Sequence, residues 1–515
     1  MILPKKNYAV LALIIVFGIV MRALHWSPSP DGDEARYINH AVALAQWGTP
    51  RYFDGAIAVR LPYLLFLSSW GCLFGFGTTN LQASGLFLYG ILAVLLYQLG
   101  EKLYDWRVGL MSVFLFSLFP IHVLLSTHCL SDDLALVFAL GATLAWIHSW
   151  TLPGWKPQAV AWFLAGLAAG LATGVRQPFF LLGVILPTAA LTQGQRWTRV
   201  IVATIIFAMG ALFYVILESL AFSAWLGDPL FRVFHDVLQS DAGRSTVEAV
   251  VPAMASRPQS VIEKLFYFRG YMGRLQPSGS FGLFPLLWVL ATIDRITKQD
   301  RRSVTILIFC VVLLVYHFWG TTSLVSWSVP PVNPRYLIPI FAVGTVGAAA
   351  LLVALHESYV FTRPLIVSAA LAWTVLSLWI CAYGSRPSCT AEFIQHLDAL
   401  CRENRQTVVV PESTVRYFLP HDYWHYLDGM KIIPDFEIAM IEKLDLRDVR
   451  IIAVPNESFY SYKHIGVNDA LERTASWWRR SEVVGEKWPR YLKLTGKPST
   501  RVIGYLYILQ KKGDN

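Results

Sequence analysis

Asp31, Asp33 and Glu34 place three carboxylates within four residues, and Arg36 and Tyr37 follow at once. Carboxylates that close can do two kinds of chemistry. Their hard oxygens can hold a divalent cation, with Asp33 and Asp31 as the ligands and Mg or Mn as the ion. Alternatively, repulsion and burial can raise one of their pKa values and make a general base near neutral pH. A solvated acidic loop is the plain alternative. More ionisable residues stand at the ends of apolar segments: Asp132 and Asp133, His122 and His128, Arg60, Arg176 and Arg335, the last followed by Tyr336. Charges near membrane depth are costly and usually line a cavity or pair with one another. Arginine suits phosphate through bidentate, charge-assisted bonds. Acids and arginines at matching depth therefore describe a site for a phosphate-bearing, membrane-borne substrate. A plainer reading has Asp132 pairing with an arginine only to hold helices together.

The elements that must position these residues are membrane spans. Of 515 residues 55% are hydrophobic and 15% charged, with mean hydropathy +0.48. This composition excludes an ordinary soluble globular protein. The formal net charge of +9 reads as basic loops between apolar segments and not as a nucleic-acid surface. Lys5 and Lys6 precede an apolar run with no small-residue cleavage site after it, so the run reads as an uncleaved first helix. Apolar segments recur to residue 383 and predict about eleven transmembrane helices. They fall at 8–26, 81–99, 108–125, 134–150, 158–173, 178–193, 200–222, 280–293, 303–318, 336–354 and 364–383. Alternating sides from a cytoplasmic N-terminus leaves the compact basic loops inside. Three long segments then lie outside: 27–79, 223–279 and the tail from 384. The first contains two amphipathic stretches, Glu34–Trp47 and Leu61–Phe76.

The chain thus divides into a transmembrane module, 1–383, and an extracytoplasmic soluble α/β domain, 384–515. In the tail, Thr407–Pro411, Arg450–Val454 and Arg501–Leu509 read as strands, and Ala391–Arg405 and Asn468–Arg480 as helices. Cys72, Cys129, Cys310 and Cys381 read as packing residues. Cys389 and Cys401 are placed for a disulfide if the tail faces an oxidising compartment.

Four motifs in order carry a resemblance. Asp33-Glu34-Ala35-Arg36-Tyr37, with Gly48-Thr49-Pro50 and Arg60-Leu61-Pro62-Tyr63, comes first, and Leu130-Ser131-Asp132-Asp133-Leu134 second. Gly170–Pro178 and Pro334-Arg335-Tyr336-Leu337-Ile338-Pro339 complete the set. Over residues 8–355 the chain resembles the dolichyl-phosphate-mannose–protein mannosyltransferase/aminoarabinose transferase group. Its members are membrane glycosyltransferases of the GT-C fold that use polyprenyl-phosphate sugars.

The resemblance implies catalytic roles for Asp33, as general base, and its neighbour Glu34, with Asp132 as an acceptor-side or secondary acid, and the acidic cluster itself adds Asp31 as a further secondary acid. It implies donor-phosphate binding by Arg60, Arg176, Arg335 and Tyr336, supported by Arg36, Tyr37 and His128. Two departures matter. Gln177 stands where relatives have glycine, and the family's Glu-Lys-Pro-Pro loop is here Val59-Arg60-Leu61-Pro62. Arg60 replaces the lysine, whereas the glutamate, a metal ligand in some relatives, is missing. Asp54 or Asp31 would have to compensate.

The implied reaction moves a sugar, with inversion, to a hydroxyl on the extracytoplasmic face of the plasma (inner) membrane. The partners are the lipid-linked donor, an acceptor glycan, lipid or protein, and the bilayer, with no nucleic acid. A polytopic transporter or lipid flippase for a phosphate-bearing substrate is the rival reading. A membrane-anchored assembly protein is a third.

Overall fold

The structure is a computed structural model. It describes residues 5–26, 33–48, 58–233, 288–293, 301–319, 334–358 and 362–384. In the C-terminal part it describes five strands and a few helical positions before and between them. Asp31, Asp54, Cys389 and Cys401 lie outside the described residues.

Among the described residues, thirteen α-helices have both ends placed, numbered here in chain order. They are α1 (Lys5–Leu24), α2 (Asp33–Trp47), α3 (Leu61–Phe74), α4 (Thr78–Leu103), α5 (Trp106–Ser117), α6 (Pro120–Leu125) and α7 (Asp132–Ser149). They continue as α8 (Trp155–Val175), α9 (Leu182–Thr192), α10 (Trp197–Leu226), α11 (Arg301–Trp319), α12 (Ile338–Ser358) and α13 (Thr362–Gly384). Short 3₁₀ turns, Gln177–Leu181 and Pro334–Leu337, precede α9 and α12. Nine of the expected spans coincide with described helices, the third (108–125) is broken into α5 and α6, and of the eighth only 288–293 is described. Four segments among the described residues are long and apolar enough to cross a bilayer: Thr78–Leu103, Trp155–Val175, Trp197–Leu226 and Arg335–Glu357. The two amphipathic stretches of the first loop form α2 and α3.

Each helix end has a local cause. Asp105 caps α5, its Oδ1 accepting from the backbone N–H of Arg107 and Val108 at 2.7 and 3.0 Å. Proline opens α6 and lies in the first turn of α3, where a missing N–H does no harm. Gly227 ends α10 in the left-handed region, φ 69°. The core lies among α2, α4, α5, α7 and α12, where Tyr37, Tyr89, Phe116, Phe119, Val346 and Ala349 are all buried. By contrast α10 turns Ile205, Met209, Leu212, Ile216 and Leu220 outward, as a lipid-facing helix does.

Small residues let α8 and α10 come together. A Cβ on Gly166 would lie 1.9 Å from the Phe207 carbonyl oxygen, and one on Gly210 2.1 Å from that of Phe163. Gly166, Gly170 and Gly174, four apart on one face of α8, make the close-approach surface that helices in membranes use. We expect Gly166→Leu to lower stability by at least about 1–3 kcal/mol, the cost of overpacking, read as a lower unfolding midpoint in detergent.

The C-terminal residues form a five-stranded mixed sheet of β1 (Val408–Pro411), β2 (Met430–Ile433), β3 (Ile451–Pro455), β4 (Trp478–Glu486) and β5 (Thr500–Leu509). The order is β2-β1-β3-β5-β4. The parallel centre, β1 beside β2 and β3, buries Val408, Val409, Val410, Ile451 and Ile452, the continuous apolar run that parallel strands show. Antiparallel β5 and β4 follow on one side. The helix expected over 468–480 is corrected at its end. Trp478–Arg480 open β4, because pairing along β5 overrides a weak local preference. β2 was not anticipated either.

Candidate active site

Most of the chemistry-bearing residues stand at helix ends. Asp33 opens α2, and Asp132 and Asp133 open α7, each acid in a first turn where the helix dipole favours negative charge. Arg176 is the residue that ends α8, a position that favours a cation. Arg60 precedes α3, and Arg335 with Tyr336 forms the turn before α12. Contacts bring these ends together.

The Asp33 carboxylate accepts from two arginines: Oδ1 from Arg36 Nη1 at 3.2 Å and Oδ2 from Arg335 Nη2 at 2.6 Å. Arg335 Nη2 also donates to the Tyr336 hydroxyl at 3.2 Å. Asp132 Oδ2 accepts from Arg176 Nη2 at 2.7 Å. The guanidiniums of Arg176 and Arg335 lie 4.9 and 5.1 Å from the centre of the Tyr336 ring, within cation–π range. Arg60 Nη1 donates to the Tyr37 hydroxyl at 2.5 Å and to Ser131 Oγ at 2.9 Å. The Tyr37 ring meets Tyr63 edge-on at 4.9 Å.

Among the described residues, direct contacts join Arg36, Arg176 and Arg335 with Asp33, Asp132 and Tyr336, and join Arg60 with Tyr37 and Ser131. Guanidiniums gathered in this way suit an anion such as a phosphate. Burial pushes the Asp33 carboxyl up, but Arg335, Arg36 and Arg60 outweigh it and hold the group below the usual carboxylate range. Asp33 is therefore ionised at physiological pH, and the raised pKa considered from sequence is not found at this residue.

Glu34 points elsewhere. Its oxygens accept from Gln82 Nε2 at 3.0 Å and the Cys129 backbone N–H at 2.8 Å, and His128 Nδ1 lies 2.8 Å away. With 2% exposure it ties α2 to the 128–131 loop and to α4. The structure therefore gathers Asp33, Arg36, Tyr37, Arg60, Asp132, Arg176, Arg335 and Tyr336. It sets Glu34 and His128 beside them as a brace.

Several residues of the site had no signal in the sequence or a weak one. Ser131 joins Tyr37 to Arg60 from inside a motif already noted. The His317 ring lies parallel to that of Tyr336 at 6.2 Å. Gln82 carried no signal, being one polar residue near the start of an apolar helix. Arg22, an arginine inside an apolar span, was a signal that passed unused.

No group of three His, Cys, Asp or Glu able to hold a metal occurs among the described residues. Among the described residues the donors at Asp33 do not fit a divalent cation, because guanidiniums occupy both its oxygens and those of Glu34 are already hydrogen-bonded. No step of the chemistry below runs through a metal.

Residues 61–222 match the family described as dolichyl-phosphate-mannose-protein mannosyltransferase. No curated protein sequence matches the chain. Among solved structures, the Archaeoglobus fulgidus oligosaccharyltransferase in complex with Zn and sulfate is similar with TM-score 0.57 at 14% identity. That match covers 91% of this chain and 71% of the other. ArnT from Cupriavidus metallidurans is similar in its apo state (TM-score 0.57) and bound to undecaprenyl phosphate (0.53). Both matches are at 13% identity and cover 98% of each chain. At such identities the likeness is one of architecture: the chain is a polytopic membrane protein of the GT-C fold, the fold shared by these glycosyltransferases.

Proposed function

We propose that this protein transfers a sugar from a polyprenyl-phosphate donor to an acceptor hydroxyl. The observation that carries the reading is the gathering of guanidiniums from four separate elements around Tyr37 and Tyr336. It suits a lipid monophosphate, which leaves as a dianion. The undecaprenyl phosphate bound by the structurally similar ArnT agrees with that chemistry.

In the proposed reaction the acceptor oxygen attacks the anomeric carbon as the bond from that carbon to the phosphate oxygen breaks. The configuration inverts, and the electron pair leaves on the phosphate. Asp33 takes the hydroxyl proton, a transfer typically worth about 10²–10⁴ in rate. Arg60, Arg176 and Arg335 hold the departing phosphate, and such placed charge is usually the larger contribution. Asp132 keeps Arg176 oriented towards Tyr336. Arg335 serves both sides: as it turns to the phosphate, its hold on Asp33 loosens and the carboxylate regains basicity.

The membrane module, 1–383, would present this site on the extracytoplasmic face of the plasma (inner) membrane. The α/β domain from 384 would lie on the same side. The basic loops on the opposite side of the span order support that orientation.

Reconstitution in liposomes with radiolabelled polyprenyl-phosphate sugars and membrane extract tests the reading. Label is expected to leave the lipid for an acceptor, and to do so equally with EDTA present. No consumption of any such donor would overturn the transferase reading and leave the transporter in its place.

A further inference from the structure

A second buried charge network stands behind the site. Arg22 of α1 is fully buried, its guanidinium 3.6 Å from the centre of the Tyr89 ring. Its Nη1 donates to the Gly18 and Ser117 carbonyls at 2.9 and 3.3 Å. Its Nη2 lies 2.6 Å from Nδ1 of His122, itself fully buried in α6. His122 Nε2 is in turn 3.1 Å from Asp133 Oδ1, at the start of α7. A guanidinium only donates, so Nδ1 must accept. The ring proton is then on Nε2 and is donated to Asp133. Arg22 thereby fixes both the tautomer and the direction of the histidine.

An arginine inside an apolar span is expensive, and a tether between α1 and α5 would need only the carbonyl contacts. The third hydrogen bond runs instead, through an oriented imidazole, to the acid next to Asp132. Among the described residues His122 is the hydrogen-bond partner of Asp133, and no guanidinium touches that carboxylate.

We propose that Arg22 and His122 are positioning residues. Through Asp133 they fix the first turn of α7, and so the aim of Asp132 at Arg176 and the seat of the acceptor hydroxyl. The proposal rests on the transferase reading for its kinetic consequence.

The test uses the full-length protein in liposomes, with His122→Ala, His122→Gln and Arg22→Met beside the wild type. His122→Ala is expected to lower kcat by about 10²-fold, the scale of a misplaced reacting group. Its affinity for undecaprenyl phosphate should fall by far less than kcat, because the four arginines of the site remain and only the aim of one is disturbed. His122→Gln can accept from Arg22 and donate to Asp133, and it should restore most of the rate. Nitrogen-15 NMR of histidine-labelled wild type at neutral pH should show His122 with a bare Nδ1 and a protonated Nε2, an arrangement lost in Arg22→Met.

Wild-type kcat in a His122→Ala protein of unchanged melting temperature overturns the proposal, as does a protonated Nδ1 in the wild type. If His122→Ala does not fold, the Gln variant and the spectrum decide. A wild type that consumes no lipid-linked sugar overturns the transferase reading instead, and the spectrum still decides whether the relay exists.

Discussion

Asp33→Asn is expected to lower kcat by about 10²–10⁴-fold, the worth of a positioned general base, while undecaprenyl phosphate binds no more weakly than to the wild type. The two effects separate because the residue has two jobs. As a carboxylate it accepts the acceptor proton, and asparagine cannot. As the partner of Arg335 and Arg36 it competes with the phosphate for their charge, and asparagine competes less. Single-turnover rates with a bound donor, set against equilibrium binding of the lipid phosphate, measure the two separately. Equal rates for variant and wild type would remove Asp33 from the chemistry.

The same pairing sets the pH dependence. The folded carboxyl lies below its usual range, near 3.9 in a free aspartate (about that in model peptides). Its pairing therefore stabilises the fold above that value and is lost only as pH falls towards the lower folded one. No acid limb belonging to Asp33 should appear in kcat/KM between neutral pH and pH ~5.

Glu218→Ala should be the most damaging single change to stability away from the site, costing about 3–5 kcal/mol, the range for removing one partner of a buried ion pair. Glu218, 4% exposed near the end of α10, accepts from Arg232 Nη1 at 2.5 Å and from the Tyr214 hydroxyl. Arg232 Nη2 in turn donates to the carbonyls of Thr173 and Gly174, at 3.2 and 2.8 Å, in the last turn of α8. With the glutamate gone, a guanidinium remains at the end of the helix that presents Arg176. Replacing both Glu218 and Arg232 by leucine should recover much of the loss, since the guanidinium is then removed together with its carboxylate. Thermal unfolding in detergent measures both. The single variant should also bind lipid phosphate less well, because Arg176 follows the end of α8. Unfolding at the wild-type temperature by Glu218→Ala would show the pair to be dispensable.

The glycines of α8 make this arrangement possible. A Cβ on Gly174 would meet the Tyr214 hydroxyl oxygen at 1.9 Å, so Tyr214 and Glu218 reach the end of α8 only because that face has no side chains. Small residues at a helix contact thus set the place of an arginine on the next turn.

Most apolar helices, the amphipathic loop helices and most residues of the candidate site were legible in the sequence because their signals are local. Apolar runs, basic loops and charges at segment ends need no knowledge of what they touch. The GT-C expectation, made from four short motifs, is met by the architecture. Partnerships were not legible, because each is a contact between residues far apart in the chain: Asp33 with Arg335, Asp132 with Arg176, Arg22 with His122. Neighbours in sequence parted company for the same reason. Successive residues of α2 point about 100° apart around its axis, so Asp33 faces the arginines while Glu34 faces Gln82 and the Cys129 amide. The sequence by itself determined which charges the membrane must accommodate and at which helix ends they stand. Only the tertiary structure decided which carboxylate each guanidinium meets, because that depends on how closely the helices pack.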